Sequence, residues 1–200
     1  MRIAIMADSH GWGTNPPIKA HLESLGHEVV YAVYENGWSA DRYVEDRAQL
    51  AHLLETDPDT IIVSLGGNNH RLSDRYADSV QDLLDELDFQ ERQVIWIGPA
   101  AATHQDTSKR HEWTADFLGA YLSTKGISFI DSRPFTQTHH KKDGVHFTRE
   151  GYQTWAAGIA PHLTHAVTPR KPEPFKSWPY FVVGGSILLL ILALKKKGKI

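Results

Sequence analysis

The sequence predicts a three-layer α/β/α sandwich around a five-stranded parallel sheet, followed by a C-terminal transmembrane helix. Three observations carry that expectation. Short runs such as Ile3-Ala4-Ile5-Met6-Ala7 are apolar without alternation, as strands buried on both faces of a parallel sheet are. Between successive runs lie stretches with apolar residues at helical spacing, the alternation that puts helices on both faces of such a sheet. Residues 178–194, finally, carry no charge and are followed by Lys195, Lys196, Lys197 and Lys199.

In chain order, the first strand stops abruptly at Asp8-Ser9-His10-Gly11. Residues 11–17, rich in Gly, Asn and Pro, read as a loop, and 18–25 as a short helix closed by Gly26. The second strand is 27–33, and Asn36-Gly37-Trp38-Ser39 is a turn. Tyr43, Val44, Leu50, Leu53 and Leu54 fit one helix over 41–55. The third strand, 60–65, breaks at Gly66-Gly67-Asn68-Asn69-His70, after which Val80, Leu83, Leu84 and Leu87 stripe a helix over 73–88. The fourth strand, 93–97, ends at Gly98-Pro99, and a polar loop leads to a helix over 111–125. A short fifth strand, 128–131, precedes a loop over 132–147. Thr148 is the expected N-cap of a last helix running to His165. The expected strand order is 2-1-3-4-5, as in flavodoxin-like sheets. Trp38, Trp96 and Trp113 read as packing residues.

Two hundred residues, 41% apolar and 22% charged, allow one ordinary domain, 1–167, with appendages. These are a linker over 168–177 with prolines and basic residues, the uncharged segment 178–194 and a basic tail over 195–200. As a helix the segment would be about 25 Å long. Trp178 and Tyr180 suit an interfacial belt and the lysines a headgroup anchor, so a single membrane anchor is expected, with the domain on the cytoplasmic side. No signal peptide is expected, because the N-terminal apolar run is short and Asp8 interrupts it. A net charge of -3 lacks the basic surplus of nucleic-acid binders, so no such partner is expected. The absence of cysteine excludes disulfides, thiolate metal sites and cysteine nucleophiles.

Distinctive residues fall where strands end, which is where open α/β sheets bind ligands. Asp8-Ser9, then Gly37, then Gly66-x-Asn68, then Asp143-x-x-His146 resemble, in order and spacing, the four blocks of the SGNH (GDSL-like) hydrolases, over about residues 1–165. The chemistry agrees. A serine hydroxyl such as that of Ser9 is a poor nucleophile until a base accepts its proton, and His146 is the candidate. Asp143, three residues earlier, can turn back to hold the other ring nitrogen. The resemblance implies an esterase for carboxylic esters, with acetyl or short acyl groups, O-acetylated carbohydrates and lipid esters as candidate substrates. It also implies no cofactor, no metal, and an oxyanion hole made by the Ser9 and Gly37 amides and the Asn68 side chain. Glycine at 37 is expected where a side chain would obstruct a close backbone approach. Two departures stand out: Ala7 precedes Asp8 where Gly is common, and Asn69 follows Asn68 where Asp is common. Acyl preference is expected to be set by loops at 11–17, 70–75 and 98–110, and His139-His140-Lys141-Lys142 reads as a solvated loop near the triad.

Two rivals remain. Asp8-x-His10 and Asn69-His70 resemble two blocks of the metallophosphoesterases, but Gly-Asp-x-x-Asp and Gly-His-x-His are missing and Asp143-x-x-His146 would go unexplained. An inactive, membrane-tethered binding module on a hydrolase scaffold is the other, against which the intact Ser9, Asn68, Asp143 and His146 weigh.

Overall fold

The computed structural model describes residues 1–68 and 75–167. Strands β1 (Arg2–Ala7), β2 (Glu28–Tyr34), β3 (Thr60–Ser64), β4 (Gln93–Ile97) and β5 (Ser128–Ile130) form one parallel sheet in the order β2-β1-β3-β4-β5. Its two faces are lined by alternate residues of the same strands. Ala4, Met6, Ile61, Val63 and Trp96 pack into one buried cluster, and Ile3, Ile5, Ile62, Ile95 and Ile97 into the other. Both clusters are closed, so the side chains of β1 after Arg2, of β3 and of β4 after Gln93 are buried whichever way they point, at about 1.5–3 kcal/mol for a large aliphatic. Hence the apolar runs do not alternate.

Helices α1 (Gly11–Ser24) and α6 (Arg149–Ala166) cover one face through Ile18, Leu22, Trp155 and Ile159. Helices α2 (Ala40–Glu45), α3 (Arg47–Glu55), α4 (Arg75–Glu86) and α5 (Gln105–Thr124) cover the other through Tyr43, Leu53, Leu83 and Leu118. The three-layer sandwich and its strand order are as the sequence predicts. Trp96 is fully buried with its indole N–H donating to the Leu65 carbonyl at 3.0 Å, and Trp38 packs edge-on against Tyr43.

Local differences have local causes. Residues 11–17 are helical despite Pro16 and Pro17, each of which removes an intrahelical donor. Tertiary contacts outweigh that loss: Ile18 and Leu22 are buried, and the Asn15 side-chain amide donates to the Val33 carbonyl at 3.2 Å. Residues 41–55 are two helices because Asp46 intervenes, its carboxylate accepting from the Ala48 amide at 3.3 Å and capping α3. Helix α5 begins earlier than expected, in a polar first turn where Asp106 complements the helix dipole. The loop over 132–147 holds a 3-10 turn, Arg133–Phe135. Thr148 caps α6 as expected, its hydroxyl accepting from the Gly151 amide at 3.2 Å.

One part of the expected fold class is corrected. Among the described residues no helix is long and apolar enough to cross a membrane, so the sandwich stands without the transmembrane helix. The segment 178–194 on which that helix rested lies outside the described residues.

Candidate active site

Ser9 directly follows β1. The His10 amide donates to Asp8 Oδ1 at 3.0 Å and the Gly11 amide to the Asp8 carbonyl at 2.9 Å, so the chain turns at once into α1. Asp8 and His10 are buried by this turn, while Ser9 between them stays partly exposed.

Before α6 the chain makes a tight excursion. The Thr148 amide donates to the His139 carbonyl at 2.9 Å and the Lys141 amide to the His146 carbonyl at 2.6 Å, so the loop closes as a narrow antiparallel pair. Gly144 at its tip has φ +69, and its carbonyl accepts from the Thr103 amide at 2.8 Å. Within this frame Asp143 Oδ1 accepts the Val145 and His146 amides, both at 2.9 Å, and Oδ2 accepts from His146 Nδ1 at 2.9 Å. The carboxylate draws the ring proton to Nδ1 and leaves Nε2 as an acceptor. Nε2 lies 3.1 Å from Ser9 Oγ. Ser9, His146 and Asp143, which the sequence singles out, thus lie in one hydrogen-bonded chain. The Val145 amide, first among the groups acting on it, holds the Asp143 carboxyl down to about 2.

The other two sequence candidates lie on neighbouring strand ends. Gly37 has φ +75, but among the described residues nothing lies within 4 Å of where a Cβ would sit. The glycine is therefore required by backbone conformation and not by crowding, contrary to expectation. Asn68 Nδ2 donates to the Trp38 carbonyl at 3.1 Å, which ties the loop after β3 to the turn after β2, and among the described residues its second amide proton has no acceptor. Among the described residues neither the Ser9 nor the Gly37 amide has a backbone acceptor.

Two buried ionisable groups flank Ser9 with opposite tendencies. Burial pushes the Asp8 carboxyl up to about 6, against the amides of His10 and Gly67 and the charge of His146. Burial, then the neighbouring histidines, pushes His10 down to about 3. Its ring lies 5.3 Å from that of His146, and its Nδ1 is 3.3 Å from the Tyr152 hydroxyl. The linkage signs differ. A carboxyl raised from 3.8 to about 6 contributes stability that is complete below 3.8 and lost as pH rises through about 6. An imidazole lowered from 6.5 contributes stability that is present above 6.5 and lost as pH falls towards about 3. Asp8→Asn is therefore expected to gain stability relative to the wild type between about pH 4 and 7, read from paired thermal melts. An offset between the two proteins that stays constant over this range would contradict the burial of the charge.

The mouth is an open cavity of about 320 Å³ lined by Ser9, Trp12, Tyr34, Asn36, Lys141, Asp143, His146 and Tyr152. Trp12 is 58% exposed and Tyr34 40%, and Lys141 Nζ lies 5.5 Å from the Trp12 ring centroid. Sequence reasoning missed Trp12, Tyr34, Asn36 and Tyr152. The available signal was position: Trp12 is three residues past Ser9 at the start of a helix, and Tyr34 and Asn36 flank the turn at Gly37. Lys141 comes from the loop read as solvated, whereas residues 98–110 do not line this cavity and residues 69–74 lie outside the described residues.

Among the described residues no three His, Asp or Glu side chains are grouped to hold a metal ion. Asp8 is committed to backbone amides and His10 to Tyr152, while Asn69 and His70 lie outside the described residues.

Comparison with known proteins bears on the family and the fold. A family model described as GDSL-like Lipase/Acylhydrolase family matches residues 6–154. No curated protein sequence matches the chain. Among solved structures, a lipase/acylhydrolase from Enterococcus faecalis is similar at 17% identity and a TM-score of 0.65, covering 86% of this chain and 100% of the other. A carbohydrate esterase family 3 protein from Talaromyces cellulolyticus is similar at 18% identity and 0.66, covering 82% and 97%. A carbohydrate acetylesterase family member from Sinorhizobium meliloti is similar at 16% and 0.66, covering 83% and 99%. At such identities these likenesses speak for the fold.

Proposed function

Given that this chain belongs to the GDSL-like lipase/acylhydrolase family and is an ester-bond hydrolase, we propose that it is a serine esterase in which Ser9 is the nucleophile, His146 the base and Asp143 the residue that orients and charges the base. The observation that carries this reading is the chain from Ser9 Oγ through His146 to Asp143, with links of 3.1 and 2.9 Å. Ser9 Oγ attacks the ester carbonyl while its proton passes to His146 Nε2. The carbonyl oxygen becomes an oxyanion, for which the Ser9 and Gly37 amides and the spare Asn68 amide proton are the donors. As the tetrahedral species collapses, His146 returns the proton to the departing alcohol and leaves Ser9 acylated. Water then attacks with His146 again as base, releasing the acid and free Ser9.

The substrate reading is a short acyl ester of a carbohydrate. Among the described residues, no aliphatic side chain lines the mouth, so nothing there solvates a long acyl chain. Exposed Trp12 and Tyr34 offer stacking faces for a sugar ring, with Asn36 and Lys141 beside them for its hydroxyls. The solved structures named as carbohydrate esterases point the same way.

The test is hydrolysis of p-nitrophenyl acetate and of peracetylated glucose, with p-nitrophenyl palmitate as the long-chain control, alongside intact-mass detection of a fluorophosphonate adduct on Ser9. Turnover of the acetyl esters that survives EDTA, with Ser9 labelled, is the expected outcome. No turnover and no adduct would overturn the mechanism, and a preference for palmitate would overturn the substrate. Trp12→Ala is expected to raise KM for the acetylated sugar about three- to tenfold while sparing p-nitrophenyl acetate, which needs no sugar platform.

A further inference from the structure

His111 has no part in the chemistry above. It lies on α5, is 1% exposed, and bridges the loops that follow two neighbouring strands. Its Nδ1 is 2.7 Å from the Ala100 carbonyl, just past β4, and its Nε2 is 3.1 Å from the Gly67 carbonyl, just past β3. Both partners are carbonyl oxygens, so a link needs a proton on the ring nitrogen that makes it; burial lowers the ring's pKa, and the neutral ring donates to one of the two carbonyls at a time.

The Gly67 peptide is gripped from its other end too. Its amide is among the groups that draw the buried Asp8 carboxyl down against the effect of burial. A Cβ placed on Gly67 would lie 3.3 Å from Asp8 Oδ2 and 3.5 Å from His111 Nε2, so this peptide sits between the two side chains. The next residue is Asn68, whose side chain is held by the Trp38 carbonyl. Asp8, His111 and Trp38 are thus three anchors around one donor.

We propose that His111 is a positioning residue for the oxyanion donor: by holding the Gly67 carbonyl through Nε2, it sets where the free Asn68 amide proton points. The proposal rests on the serine-esterase reading. A buried histidine kept only to fill space would need no proton at a particular ring nitrogen, whereas a positioning histidine depends on the one at Nε2.

Two substitutions separate these roles. The side-chain amide of glutamine reaches about as far as Nε2, and that of asparagine about as far as Nδ1. His111→Gln therefore keeps a donor for Gly67, and His111→Asn keeps one only for Ala100. The experiment measures kcat and KM for p-nitrophenyl acetate on the full chain, per site titrated with fluorophosphonate, together with thermal melts of wild type and both variants. His111→Asn is expected to lower kcat about tenfold or more with KM little changed, since a displaced oxyanion donor costs somewhat less than a missing one. His111→Gln is expected to restore kcat to within about threefold of wild type. Where the asparagine variant does not fold, His111→Met, apolar and without a donor, is expected to show the same loss. Equal kcat in the glutamine variant and a donorless or short variant would overturn the proposal. A wild type that neither turns over nor labels would overturn the esterase reading instead.

Discussion

Ser9→Ala is expected to abolish ester hydrolysis, with kcat falling by about 10⁴ to 10⁶. Among the described residues the hydroxyl is the group placed within hydrogen-bonding distance of His146 Nε2, and alanine leaves the base with nothing to activate there. What survives is the activity that the oxyanion donors and substrate binding supply to a water molecule. Ser9 is partly exposed and among the described residues its Oγ bonds no main-chain group, so the melting temperature should hardly move. Progress curves with p-nitrophenyl acetate and a matched thermal melt check both halves. Full activity in the folded variant would mean that the nucleophile lies elsewhere.

The second large effect belongs to Asp143→Asn, for which kcat is expected to fall by about 10² to 10⁴. The asparagine oxygen can still accept the Val145 and His146 amides, so the loop keeps its shape. Its amide nitrogen, however, would face His146 Nδ1 with a donor. The ring then carries its proton on Nε2, and a protonated Nε2 cannot take the proton of Ser9. The Asp143 side chain is 49% exposed, which lets water stand in for part of the carboxylate's role and places the effect towards the lower end of that range. Because Asp143 is held down to about 2, it stays ionised at the pH of any ordinary assay. A loss of rate on mild acidification in the wild type therefore does not report Asp143. Single-turnover measurement of Ser9 acylation in the variant checks the claim, and acylation at the wild-type rate would refute it.

How much of this was legible in the sequence depended on whether the deciding interaction was local. Strands β1, β3 and β4 could be read because a strand buried on both faces is apolar at nearly every position; alternation with helices implied a parallel sheet, and the flavodoxin-like pattern supplied the order. The N-cap of α6 could be read because Thr148 acts on an amide three residues away. Residues 11–17 could not, since Pro16 and Pro17 argue for a loop and are overruled by burial of Ile18 and Leu22 against distant parts of the chain. At the site, Ser9, Asn68, Asp143 and His146 were visible as an ordered series of strand-end blocks. His111 and Trp12 were not: one owes its place to two carbonyls far away in sequence, the other to the face that an unexpected helix turns towards the mouth. The uncharged segment 178–194 illustrates the opposite hazard, a strong local pattern from which a membrane-spanning helix was inferred that the described fold does not carry.

The pairing of Ser9 with His146 also bears on how the protein comes to be active. His146 and Asp143 are three residues apart and can meet as soon as their loop closes, but the serine is 137 residues away. Contacts of that separation are among the slowest to form, because the chain between them must be ordered first. A chain still emerging from the ribosome, or one with α6 undocked from the sheet, therefore holds a ready base and acid with no nucleophile beside them. With Ser9 and His146 in the proposed roles, hydrolytic capacity requires that long-range contact to have closed.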